Sequence, residues 1–162
     1  MEIPKDLSES VKRALNRLSI GDLTCGEMQA YLTDRNRKVY FPAEIAERTV
    51  CLLVQEGFLD DKRVLKLFVR HLDEKCYGPR RIRQELIRHR FSASYVEAAL
   101  ARNVDYSARA LKLLEKRAGA KELAKSPAGR KKLQDALVRF GYDYSTALGA
   151  VKNFSREDDF SD

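Results

Sequence analysis

The densest run of side chains able to hold another molecule lies between Lys75 and Arg90, KCYGPRRIRQELIRHR. Gly78-Pro79 breaks one helix and starts the next, because proline fixes φ and lacks an N–H that the first helical turn would leave unpaired anyway. On a helix begun there, Ile82 and Leu86 define the buried stripe at 100° per residue. Arg80, Gln84 and Arg88 form the opposite stripe with Arg81 beside it, and Arg83 and Arg90 fall near the rim. Lys75 and Tyr77 stand at the head of this ladder, next to the helix N-terminus. Guanidinium forks grip phosphates and carboxylates in pairs, and a helix N-terminus attracts anions, so the chemistry to expect is anion recognition. A solvated outer helix face would carry the same residue types. A second basic group, Arg130, Lys131 and Lys132 with Lys112, Lys116 and Arg117, reads as plain surface solvation.

Catalytic chemistry finds no foothold of this kind. The chain has no Gly-rich phosphate loop with Lys, no His pair at i, i+4 on a helix and no Gly-x-Ser-x-Gly turn. His71 and Cys76 are five apart across a predicted helix end, which suits neither a zinc pair nor a nucleophile with its base. His89, between Arg88 and Arg90, reads as an ordinary, partly exposed histidine. No carboxylate spacing singles out a general acid and base. The expectation is a protein that binds and does not catalyse, with neither cofactor nor metal. Cys25, Cys51 and Cys76 fit no disulfide framework, which points to a reducing cytoplasm. The start MEIPKDLSESVKRAL has no apolar signal core, and no window approaches the ~18 apolar residues of a membrane span.

The elements that must carry the ladder emerge from internal repetition. The 162 residues have a net charge of +7, but the charge is uneven: −2 over residues 1–60, +6 over 61–103 and +3 over 104–162. Pro42, Pro79 and Pro127 each read as a helix start. Phe41 to Val50 (FPAEIAERTV), Phe91 to Leu100 (FSASYVEAAL) and Tyr142 to Val151 (YDYSTALGAV) share one grammar: an aromatic first, a helix-entrance residue second, an aliphatic at the tenth place. Upstream of each aromatic lies an apolar i, i+4 pair, Met28 with Leu32, Ile82 with Leu86, and Leu133 with Leu137. The first unit carries a polar four-residue extension in TDRNRKVY before Phe41.

This recurrence predicts an all-α protein of three tandem three-helix repeats that form an elongated, curved array. The repeats are expected at 1–59, 60–103 (the basic one) and 104–154, with a short acidic tail at 155–162. Nine helices are expected: 7–19, 24–34 and 43–56; 60–74, 79–89 and 92–102; 105–118, 128–140 and 143–153. Thr24 and Glu27 have capping-box spacing, and Asp60-Asp61 forms an acidic helix entrance. A monomer is expected.

Glu56 to Arg70, EGFLDDKRVLKLFVR, followed by Lys75 to Leu86, KCYGPRRIRQEL, resembles the central repeat of the RecX family, small bacterial regulators of the RecA recombinase. Leu23 to Leu32, LTCGEMQAYL, is similar to the family's Ser-x-x-Glu-Leu-x-x-x-Leu stretch. The family's usual Lys-Gly-aromatic-Gly-Pro is present with Cys76 in place of the first glycine, so Cys76 must suit the backbone conformation that glycine supports. Leu72 stands where an Arg is common and Leu65 where Ala is frequent. The resemblance implies a non-enzymatic modulator that lies in the groove of the RecA nucleoprotein filament and damps ATP hydrolysis, strand exchange and repressor cleavage. The candidate contact residues are then Lys75, Tyr77, Arg80, Arg81, Arg83, Gln84 and Arg88, joined by Arg63 and Arg70, with weak contact to DNA phosphates through the basic faces. The main alternative is a direct nucleic-acid binder that lays helix 79–89 in a groove.

Overall fold

Proline, glycine and capping side chains set the helix boundaries in a computed structural model that describes residues 3–158. After a 3-10 turn at Lys5–Leu7 come α1 (Ser8–Leu18), α2 (Cys25–Thr33), α3 (Ala43–Gln55), α4 (Asp61–Glu74), α5 (Pro79–Arg88), α6 (Ala93–Leu100), α7 (Tyr106–Glu115), α8 (Ala120–Ala124), α9 (Pro127–Arg139) and α10 (Tyr144–Asp158). No strand occurs among the described residues. The capping box forms: the Thr24 hydroxyl accepts from the Glu27 amide, and the Glu27 carboxylate accepts from the Thr24 amide, both at 3.0 Å. Asp105 and Ser126 cap α7 and α9 with the N-cap half of that pattern alone, their side chains accepting from the Ala108 and Gly129 amides, with Pro127 in the first turn of α9.

Nine of these helices fall within a few residues of the expected ones, and α8 is the addition. Its five residues are too few to show a helical period, and its start is set by Gly119 in the left-handed region at φ 75°. The helix crosses α9 backbone to backbone at Gly129, where a Cβ would fall 1.9 Å from the Leu123 carbonyl oxygen. The last helix also runs on to Asp158, so 155–158 continue α10 where a tail was expected. Residues 159–162 of that tail lie outside the described residues.

Each repeat builds its core from the same positions. Met28 and Leu32, Ile82 and Leu86, and Leu133 and Leu137 are all at most 1% exposed. The backbone repeats with them: the amide of Phe41 donates to the Leu32 carbonyl, that of Phe91 to Leu86 and that of Tyr142 to Leu137, at 2.9, 3.1 and 3.2 Å. The longer first-repeat loop therefore closes on the same hydrogen bond. The second residue of the grammar opens the next helix in every case, accepting from Ala46 at Pro42, Val96 at Ser92 and Ala147 at Asp143. The three aromatics share a position but not a degree of burial. Phe91 and Tyr142 are buried, whereas Phe41 is half-buried against its cluster.

The described chain forms two compact units, one of residues up to 68 with 86–96, the other of 69–85 with 97 onward. The first centres on Ala14, Met28, Leu32, Ala46 and Leu53, the second on Leu114, Leu133, Leu137, Tyr142 and Phe154. The same joint recurs inside each. In the first, the Thr24 hydroxyl donates to the His89 carbonyl at 2.8 Å, two residues before Phe91. In the second, the Gly78 amide donates to the Phe140 carbonyl at 2.9 Å, two residues before Tyr142. Glycine makes each close approach possible, Gly26 in the first and both Gly78 and Gly141 in the second, where a Gly78 Cβ would lie 2.5 Å from the Gly141 carbonyl carbon. Arg90 (φ 55°) faces Gly26, whose Cβ would lie 2.4 Å from the Arg90 oxygen; Gly141 (φ 97°) faces Arg81, whose amide nitrogen would lie 2.3 Å from a Gly141 Cβ.

Candidate functional site

The head of the ladder is fixed by backbone conformation. Cys76 sits in the left-handed region at φ 55°, so the expectation that it occupies a glycine-type position holds, at a conformational cost of about 1–2 kcal/mol. Its thiol is buried, and its carbonyl accepts a 2.7 Å hydrogen bond from the Tyr142 hydroxyl. Burial pushes the Tyr142 phenol well above its usual range, so that O–H remains a donor. The turn carries Tyr77 out beside Phe140, with ring centroids 5.6 Å apart. Lys75 Nζ and the Arg81 guanidinium carbon lie 5.9 and 5.5 Å from the Tyr77 ring centroid. Lys75, Tyr77 and Arg81 thus gather at the start of α5, held against the Phe140–Gly141 joint.

Much of the ladder is already paired. Arg81 reaches Glu85 at 2.7 Å, and that carboxylate is only 8% exposed, so Arg81 belongs partly to the structure. Arg83 forks onto Glu97 at 2.7 and 3.4 Å, and Arg70 meets Glu74 at 3.2 Å, both on exposed surface. Exposed pairs of this kind add only about 0–1 kcal/mol each. Arg80 differs: its amide donates to the Gly141 carbonyl, while its exposed side chain has no carboxylate partner among the described residues. Gln84 is exposed next to it on α5. In the first unit, Arg63 clasps Asp22 at 2.8 and 3.3 Å, which raises its pKa, and Arg88 is exposed at the end of α5. The second unit therefore offers Lys75 and Arg80 as its exposed cations at the head of α5.

A neighbouring network escapes sequence reasoning. Asp73 accepts from Arg102 at 2.7 and 3.1 Å and pairs with Arg109 at 2.9 Å; Arg109 also donates to the Tyr77 carbonyl at 3.3 Å. Burial alone would raise the Asp73 carboxyl, but the Arg102 hydrogen bond and both guanidinium charges outweigh it and hold the carboxyl below its ordinary range. Asp143, which accepts from the Ser145 hydroxyl and from the amide and hydroxyl of Thr146, is held far below that range too. A carboxyl depressed on folding contributes stability above the unfolded value of about 3.9, and that contribution is lost as pH falls through the folded value. Melting temperature should thus hold steady from pH 7 to 5 and decline below about pH 4, more gently in Asp73→Asn, whose melting is lower at pH 7; identical acid profiles for the two proteins would contradict this.

The Cys25 thiol, pushed up to about 12 by burial and by the Asp61 carboxylate, stays protonated. Among the described residues no group of three His, Cys, Asp or Glu side chains is placed to hold a metal ion, and no helix is long and apolar enough to cross a membrane.

Residues 60–100 match the family model described as the second three-helix domain of RecX. A "Regulatory protein RecX" of Xanthomonas campestris pv. campestris is 32% identical over 149 residues, covering 91% of this chain and 88% of the relative. A protein of the same name from Cronobacter sakazakii is 28% identical over 154 residues, covering 91% and 93%. Among solved structures, the crystal structure of RecX from Lactobacillus salivarius superposes with a TM-score of 0.75 over 95% of this chain and 99% of that one, at 20% identity.

Proposed function

The chain belongs to the RecX family, and from that premise we propose that it regulates the RecA recombinase, binding the RecA filament on DNA and damping its ATP hydrolysis, strand exchange and repressor cleavage. The observation that carries the proposal is kinship along 91% of the chain at 32% identity to a regulatory protein RecX. In this reading the protein acts by binding alone. Lys75, Tyr77 and Arg80 at the head of α5 meet carboxylates or phosphates on the filament, with Arg81, Arg83, Gln84 and Arg88 along the same helix and Arg63 and Arg70 on α4. Three repeats in one chain provide several modest contacts that reinforce one another through effective concentration. Regulation then needs only a difference in affinity between filament states.

The alternative, with α5 inserted in a DNA groove, draws on the exposed Arg80 and Gln84 near the start of that helix. It needs a helix start free to approach bases. Here the amides of Gly78 and Arg80 are committed to the carbonyls of Phe140 and Gly141, which disfavours that approach. Fluorescence anisotropy of the labelled protein separates the readings: titration with cognate RecA on single-stranded DNA should give binding at least tenfold tighter than with the DNA alone. The preference should persist as salt rises, since phosphate contacts weaken steeply with salt. Equal affinity for bare DNA would support the alternative instead.

A further inference from the structure

The first repeat is acidic in sequence, at −2 over residues 1–60, yet it forms one wall of a basic groove. The groove encloses about 890 Å³ within the first unit, and four arginines line it: Arg17 from α1, Arg37 from the loop after α2, Arg88 from the end of α5 and Arg90 from the joint before Phe91. Two carboxylates share the lining, and both are engaged. Glu27 takes the Thr24 amide at 3.0 Å and lies 2.8 Å from His89 Nδ1; Asp34 takes the Asn36 amide at 3.0 Å and the Arg37 Nε at 3.3 Å. The groove therefore carries an excess of positive charge where its own repeat has the opposite sign.

We propose that this groove holds a carboxylate-rich peptide segment of a protein partner, separately from the α5 head. Tyr31 sets the geometry, with the Arg37 and Arg17 guanidinium carbons 4.4 and 6.0 Å from its ring centroid. Stacking leaves the edge of a guanidinium, rather than its face, to meet carboxylates, and Arg37 already turns its Nε edge to Asp34 in this way. The same stacking argues against single-stranded nucleic acid, which seeks an uncovered aromatic face for its bases. Tyr31 is the one aromatic in the lining, half-buried and already beneath guanidinium. Leu23, Ala30 and Ala43 add apolar surface on which the stems of a peptide's side chains can rest. The Arg90 backbone is in the left-handed region and its Cβ lies close to Gly26, so the root of this side chain is fixed at the edge of the groove.

The test uses the full chain and two fluorescein-labelled probes, a peptide of ten glutamates and a ten-nucleotide oligothymidylate, followed by anisotropy. The peptide should bind, and Arg37→Gln/Arg90→Gln should weaken it by about tenfold or more, the order expected when charged hydrogen bonds are lost. Lys131→Gln/Lys132→Gln, which removes the same charge from α9, should change it less than about twofold. If the double variant melts early, Arg17→Gln alone serves as the second variant, with a loss of about threefold expected. No binding of the peptide, equal losses in the groove and α9 variants, or an oligothymidylate that binds more tightly than the peptide and is lost with the groove arginines would each overturn the proposal.

Discussion

Gly141→Ala is expected to cost roughly 2–5 kcal/mol of folding stability, the sum of a left-handed backbone and an overpacked joint. The residue lies at φ 97°, and a Cβ there would come within 2.3 Å of the Arg81 amide nitrogen and 2.4 Å of the Arg81 Cβ. Those atoms belong to the first turn of α5, so they cannot move aside without disturbing the Gly78 and Arg80 hydrogen bonds to the same joint. Gly57 supplies the comparison. It has φ 75° and nothing within 4 Å of its Cβ position, so Gly57→Ala should cost only the conformational part, about 1–2 kcal/mol. Both changes shrink unfolded-chain entropy alike, so the difference between them reports the contact. Urea midpoints at unchanged m-values give that difference. Equal losses would show that the joint is loosely packed and that the repeats are not docked through it.

Much of this architecture was legible because it is local. The apolar pairs at i, i+4, the aromatics that follow them and the Thr24–Glu27 cap all express themselves within one turn or one loop, and each stands where the sequence pattern put it. The helix α8 was not, since five residues carry less than two turns of periodicity. The exchange of glycine between the two joints was likewise invisible: Gly26 and Arg90 are far apart in sequence, and neither shows alone which of the pair will be the small one. For the candidate site, the sequence shows residue types and spacing but not pairing. Nothing near Arg83 announces Glu97, and nothing near Asp73 announces Arg102 and Arg109, because those partners arrive through tertiary folding. Glu85, which no spacing in the sequence singles out, is buried and makes Arg81 a structural cation as well as a surface one.

That distinction decides how the contact surface is probed. Arg81→Glu would set a second carboxylate beside buried Glu85, so its effects on folding and on binding would be mixed. Lys75→Glu/Arg80→Glu avoids this. Both side chains are exposed, and a Glu at position 80 falls in the first turn of α5, where a negative charge is favourable by about 0.3–1 kcal/mol. Melting temperature should therefore change little. Binding to the RecA filament should weaken by about 30-fold or more, since losing charged contacts buried at an interface costs about 2–5 kcal/mol and each 1.4 kcal/mol is tenfold. Lys12→Glu on α1, far from the ladder in sequence, should leave affinity within about twofold. If both variants bind like the unmodified protein, the exposed cations of α5 serve only as a solvated face.

The central claim, regulation of RecA by binding, is tested most directly by the rate of ATP hydrolysis of cognate RecA on single-stranded DNA as the purified protein is added. The account predicts a fall in that rate at or below one protein per RecA monomer, with no hydrolysis by the protein alone. An unchanged rate at a clear excess of protein would contradict it.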